Sequence, residues 1–297
     1  MKKPHSPSNP SITIHRGTHQ ISGVVTEISD GKFRVFIDIG KNLPNADFEA
    51  VELPPIDDLT VGSGENSALF LTHYHGDHVG NLRLVMPGIP VYLGKTAKAL
   101  HLDLINRIRK EDTRFFDEVK TFEPLDKLTV GDIVVVTLLM TDHSAFDAYM
   151  FVIELTGKHI LHTGDFRTHD FRGDKPSKML ASIREKYRLH YQRRNHDLSC
   201  RQEGNRAQTS AGDHQNPERS EYILVLAISL NIDRIVAFYH AAHKVGHIFV
   251  RDHYQKNPLN IVRENHKNKS PFNDFKTMYG VDDIEKTLEK HLRFMEE

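Results

Sequence analysis

The chain has 297 residues, 38% hydrophobic and 27% charged, with a formal net charge of −1. That length allows one large domain or two of ordinary size, with a real core under a polar surface. The balanced charge gives no global excess to draw nucleic acid, so such a partner needs a local basic patch.

One cysteine, Cys200, excludes an internal disulfide framework and points to a reducing, cytoplasmic setting. Residues 1–10 carry two lysines and three prolines and lack the apolar core of a signal peptide. No apolar run approaches the length that spans a bilayer, so no membrane partner is expected. Oligomeric state is not legible.

Taken in order, alternation predicts a strand from Ile12 to His15. Strands Ser22–Ile28 and Phe33–Ile39 follow, joined at the turn signal Asp30-Gly31. Residues 41–66 are loop-rich. Ser67–Leu71 is short and apolar and reads as a buried strand. A short helix is expected over Val79–Val85, stopped by Pro87-Gly88. Next come a strand at Val91–Leu93, an amphipathic helix over Lys95–Arg109 and a charged loop or short helix at 111–120. A β-branched strand, Ile133–Leu139, precedes strands Ala148–Glu154 and His159–Thr163.

The strand at 67–71 runs into Thr72-His73-Tyr74-His75-Gly76-Asp77-His78. His73 and His75 point to one side of an extended chain, and Gly76 permits a bend that returns Asp77 and His78 towards them. Imidazoles and a carboxylate at this density suit a zinc-like ion. Two later loops also follow strand ends, Thr141-Asp142-His143-Ser144-Ala145 and Gly164-Asp165-Phe166-Arg167. Alone, His143 or Asp165 would more often be a hydrogen-bonded structural residue.

The His-x-His-x-Asp-His run at 73–78 resembles the signature of the metallo-β-lactamase-like hydrolases. The later sequences His-Ser-Ala-Phe-Asp-Ala-Tyr and Leu-His-Thr-Gly-Asp-Phe-Arg narrow the resemblance to the branch of the β-CASP nucleases, bacterial ribonucleases among them. The match covers roughly residues 12–180 and resumes near 221. It implies an α/β fold: an αββα sandwich of mixed sheets with outer helices, plus a partial β-CASP-like β-α-β segment. It also implies two zinc ions, one held by His73, His75 and His143 and the second by Asp77 and His78, with Asp165 bridging. Asp38, at a strand end, is implied to lie beneath the metals. The implied reaction is attack of a metal-activated hydroxide on a phosphodiester, with RNA the family substrate and Asp77 orienting the hydroxide or carrying a proton. A small phosphodiester or ester hydrolase of the same fold is an alternative. So is a non-catalytic, metal-binding remnant, because the branch continues into a late histidine motif that this sequence does not supply. Arg167, Arg172 and Lys175 are the scattered candidates for a basic groove.

These features divide the chain into a metallo-β-lactamase-like domain at 1–180, an anomalous polar segment at 181–221 and a partial β-CASP-like segment at 222–297. Residues 187–220 have few apolar side chains and no periodicity, as in a linker. A sharper reading is that they are translated out of frame. Permitted codons for residues 193–200, read from the second base, yield Glu-Gly-Thr-Met-Ile-Ser-Arg, which resembles what β-CASP nucleases carry here. An irregular, exposed segment is expected either way. Beyond it, Ile223–Ser229 reads as a continuous apolar strand. Asn231 is a good N-cap for a helix carrying Ile232, Ile235, Val236, Tyr239 and Ala242. Gly246 ends that helix, His247–Val250 is a strand, and Asp283–Phe294 is a last amphipathic helix. His240, His243 and His247 read as structural or surface residues.

Overall fold

The structure, a computed structural model, describes residues 10–18, 22–43, 52–110, 112–137, 141–168, 225–266 and 279–280, with single or paired positions at 172–183 and at 223. The described residues pack as two compact units. The first draws on 1–141, 147–166 and 176–195, the second on 142–146, 167–175 and 196–297.

In the first unit, a six-stranded mixed sheet runs in the order β1 (Ser11–Arg16), β2 (Val25–Ser29), β3 (Arg34–Ile37), β4 (Ser67–Phe70), β5 (Val91–Gly94), β6 (Lys120–Phe122). β1, β2 and β3 pair antiparallel; β3 to β6 pair parallel. The β2–β3 turn is held by Asp30, whose Oδ1 accepts from the amides of Lys32 and Phe33 at 2.8 and 2.7 Å. Every residue of β4 is buried, which its unbroken Ser-Ala-Leu-Phe run anticipates for a central strand. The second sheet is antiparallel, in the order β10 (Lys158–His162), β9 (Phe151–Leu155), β8 (Ile133–Thr137), β7 (Lys127–Val130).

The two sheets share one core. Ile28, Val35, Ile37 and Phe70 from the first meet Ile133, Val135, Phe151 and Ile153 from the second. Burying side chains of this size is worth about 1.5–3 kcal/mol each, so this seam dominates the stability of the unit. α1 (Gly76–Val79) is a single turn, and α2 (Lys95–Leu104) continues into a wider π-helical turn at Ile105–Arg109. α2 buries Thr96, Ala97, Leu100 and His101, one stripe at helical spacing. Its first turn is anchored by Asp147, whose Oδ2 accepts from the Ala97 amide at 2.8 Å.

The second unit holds α3 (Ile232–Lys244), α4 (His253–Asn265) and a two-residue parallel pair, β11 (Val250–Arg251) with β12 (Tyr279–Gly280). Asn231 caps α3 by accepting from the Arg234 amide. α4 opens with a complete capping box, Asp252 with Gln255, a signal the helical reading above passed over. Arg172 is 1% exposed and pairs with Asp233 at 2.7 to 3.1 Å, its guanidinium lying over the Phe146 ring.

Several expectations need correction. The helix expected at Val79–Val85 starts earlier, at Gly76, and residues Leu82–Leu84 form a separate 3-10 turn. Gly80 breaks the two apart, its amide closing α1 onto the Gly76 carbonyl. The strand expected at Ile223–Ser229 does not form at 225–228, where Val225, Leu226 and Ile228 are exposed. A buried parallel strand needs a ladder on its edges, and no described strand supplies one. At 111–120 the expected loop or short helix holds, as a 3-10 helix at Arg114–Asp117. Residues 187–220, Leu138–Met140 and Asp283–Phe294 lie outside the described residues.

Candidate metal centre

The loop after β4 is fixed by the end of β3. The Ile39 amide donates to the His78 carbonyl at 2.7 Å, and the Lys41 amide donates to the Gly76 carbonyl at 3.0 Å. Asn81 returns the grip, its amide donating to the Ile39 carbonyl and its Nδ2 to the Gly40 carbonyl. Gly40 has to be glycine, because a Cβ there would collide with the Asp77 carbonyl.

Beneath the loop lies Asp38, fully buried and with φ of 62°. Its Oδ1 accepts from the Thr72 amide at 2.8 Å, and its carboxylate accepts from the Thr72 hydroxyl at 2.9 and 3.1 Å. Its Oδ2 lies 2.8 Å from His78 Nδ1.

These contacts decide which nitrogens face the site. A carboxylate can only accept, so the single Thr72 hydroxyl proton goes to Asp38. Thr72 Oγ1 is 3.0 Å from His73 Nδ1 and must therefore accept from it. Likewise His78 Nδ1 donates to Asp38. Both rings are thereby set with a proton on Nδ1 and with Nε2 left to face the site, the orientation metal-binding imidazoles need. His78 Nε2 is buried without a hydrogen bond, 3.4 Å from Asp165 and 3.6 Å from Asp77. The residues present thus fit a divalent cation: a buried ring nitrogen between two carboxylates, where an ion can take the place of a proton.

Of the six expected ligands, His73, His75, Asp77, His78 and Asp165 stand in the first unit. His73, Asp77 and His78 each offer a ligand atom, and these lie within 4.8 Å of one another. The His73 and His75 rings stand edge to face with centroids 4.7 Å apart. Asp165 reaches His78 from the loop after β10, where Gly164, at φ of 54°, turns the chain and its amide donates to His162 Nδ1. The sixth, His143, is half-buried and stands on the loop 142–146, which belongs to the second unit.

The charge balance is that of a cation site. Burial pushes the His78 imidazole down, but Asp38 and Asp165 outweigh it and hold it up to about 10. Burial raises the Asp77 carboxyl, with His78 opposing and Asp165 adding. Next to this loop, His101 packs in α2 against Tyr74 and Phe116 and is pushed down to about 4 by burial, then by Arg109 and His75.

Of the cations expected to build a groove, Arg172 is a correction: its charge is consumed inside the second unit by Asp233. Arg167 pairs with Asp142 at 3.5 Å and reaches Asn231 at the same distance. Lys175 lies outside the described residues. His240, His243 and His247 are exposed. Sequence reasoning assigned no role to Thr72, although its place directly before the histidine run was the available signal.

Residues 22–240 match the Metallo-beta-lactamase superfamily. Ribonuclease J of Helicobacter pylori (strain ATCC 700392 / 26695) is 25% identical over 172 residues, 55% of this chain and 24% of that protein. Ribonuclease J of Thermus thermophilus is 29% identical over 156 residues, 50% of this chain and 27% of that protein. The aligned part is thus about a quarter of the length of these relatives. A crystal structure of a protein of unknown function from Enterococcus faecalis V583 superposes with a TM-score of 0.65 at 20% identity, covering 92% of this chain and 74% of the other, which shows a shared fold. With a mixed and an antiparallel sheet sharing one core, and a histidine-aspartate loop at the end of β4, the chain belongs to the metallo-beta-lactamase superfamily.

Proposed function

We propose that this chain is a metal-dependent phosphodiesterase with RNA as substrate, working with two zinc ions in the cytoplasm. The observation that carries the reading is the convergence of His73, Asp77 and His78 over the buried Asp38 carboxylate. His73, His75 and His143 are proposed to hold one ion, Asp77 and His78 the other, and Asp165 both. Bound there, the ions would supply a nucleophilic hydroxide at neutral pH and positive charge for the developing oxyanion.

The chain's own residues do the rest. Asp38 and Thr72 lock the imidazole tautomers and so pre-pay the cost of orienting ligands. Asp77, half-buried at the first turn of α1, is placed to take or pass on a proton. The likeness to Ribonuclease J over about half the chain supports RNA as the substrate class. The single cysteine supports the cytoplasmic setting.

A second reading, hydrolysis of a small phosphodiester, is favoured by the loss of Arg172 to an internal ion pair, which thins the expected basic groove. Zinc-loaded protein assayed on labelled RNA and on bis(p-nitrophenyl) phosphate separates the two. Chelator-sensitive RNA cleavage that vanishes in His75→Ala supports the first reading, and cleavage of the small ester alone supports the second. Undiminished turnover in His75→Ala overturns metal-dependent hydrolysis.

A further inference from the structure

α2 turns one stripe inward, made of Thr96, Ala97, Leu100 and His101. Three of these are small or apolar and suit a core. His101 is the exception, 3% exposed and with a polar ring. Its Nδ1 has no hydrogen-bond partner among the described residues. What this side chain offers its neighbours is therefore chiefly the surface of its ring.

That ring stands in a row of rings. Phe116 meets it edge to face on one side, with centroids 5.0 Å apart. On the other is Tyr74, tilted by 40° at 6.1 Å. Tyr74 in turn stands edge to face on His75 at 5.9 Å. Phe116 and Tyr74 are both buried, and the row ends on the half-buried His75. Asp38 and Thr72 act elsewhere in the loop, since their hydrogen bonds end on Nδ1 of His78 and His73. Tyr74 lies between His73 and His75 in sequence, so a shift of its ring moves the backbone that carries both.

We propose that His101 is the positioning residue of His75: wedged between Phe116 and Tyr74, it fixes Tyr74 and, through it, the angle at which the His75 ring meets a cation. The inference rests on the metal reading given above. Close-packed interiors pass small displacements on. A ligand imidazole held by a packed outer layer loses less freedom on binding, so it holds metal more tightly.

Competition for zinc with a chromophoric chelator tests it, with the cobalt(II) absorption spectrum as a second readout. His101→Ala should weaken zinc about tenfold and alter the cobalt bands. His101→Leu, close in volume, should stay within about twofold of the parent. Phe116→Leu loosens the row from its far side and leaves His101 in place. It should weaken zinc about threefold, and it serves where His101→Ala does not fold. Leu100→Ala, equally buried on the same helix but outside the row, should lose stability in urea and keep the parent's zinc affinity. Tyr74→Leu should weaken zinc, and adding His101→Ala to it should weaken zinc no further, because both act through one contact. Zinc affinity and cobalt bands unchanged in His101→Ala or in Phe116→Leu overturn the proposal. So do losses from Tyr74→Leu and His101→Ala that add in full, or a Leu100→Ala as weak for zinc as His101→Ala. A parent chain that binds neither zinc nor cobalt overturns the metal reading together with this inference, whereas a binding parent with indifferent variants overturns this inference alone.

Discussion

Asp38 accepts from the Thr72 amide and hydroxyl and from His78 Nδ1 with one buried carboxylate. Asp38→Asn turns one acceptor into a donor aimed at other donors. The expected result is metal affinity about 10- to 100-fold weaker, read by competition with a chromophoric chelator. His101 makes a second prediction. Folded, it is pushed down to about 4, whereas an unfolded histidine titrates near 6.5. Above about pH 6.5 it is neutral in both states and adds no pH dependence. As pH falls from there to about 4, only the unfolded chain takes up the proton, so stability drops by up to about 3 kcal/mol. His101→Leu should therefore lose less stability than the parent between pH 7.5 and 5.0, measured by urea unfolding. At this scale the histidine run was legible because its spacing alone brings the side chains together. The reach of Asp38 to His78 was not, because forty residues of chain and a parallel strand pairing intervene.

At the scale of elements, the end of β3 and the loop after β4 are so close that Gly40 leaves no room for a methyl group. Gly40→Ala should destabilise the first unit by at least about 1–3 kcal/mol and weaken its hold on added divalent metal, visible together in a denaturant titration followed by metal content. Strands were read well where β-branched residues are dense, as in Ile133–Thr137, since both faces of such a run find a partner. The failures share one cause. Residues 225–228 have the apolar composition of a strand, yet composition does not provide the neighbour that a ladder requires. α4 carries mixed signals in its sequence: Asp252 and Gln255 announce a helix start, whereas Pro258 inside it is a breaker by type and is buried in the second unit.

For the whole molecule, the exposed Val225, Leu226 and Ile228 make a short, uncharged, β-prone stretch. Such stretches recruit other chains edge to edge. Leu226→Thr with Ile228→Thr should lower concentration-dependent association in sedimentation velocity and change unfolding free energy by no more than about 0.5 kcal/mol, as for ordinary surface positions. β4 carries Ser67 at one tip and runs into the histidine loop beyond the other. A strand clasped by neighbours on each edge and by side chains on each face has no freedom to slide. Perturbations that far apart on a stiff support add rather than interact. Ser67→Ala and His75→Ala should therefore change the unfolding free energy by amounts that sum in the double variant, read by urea unfolding.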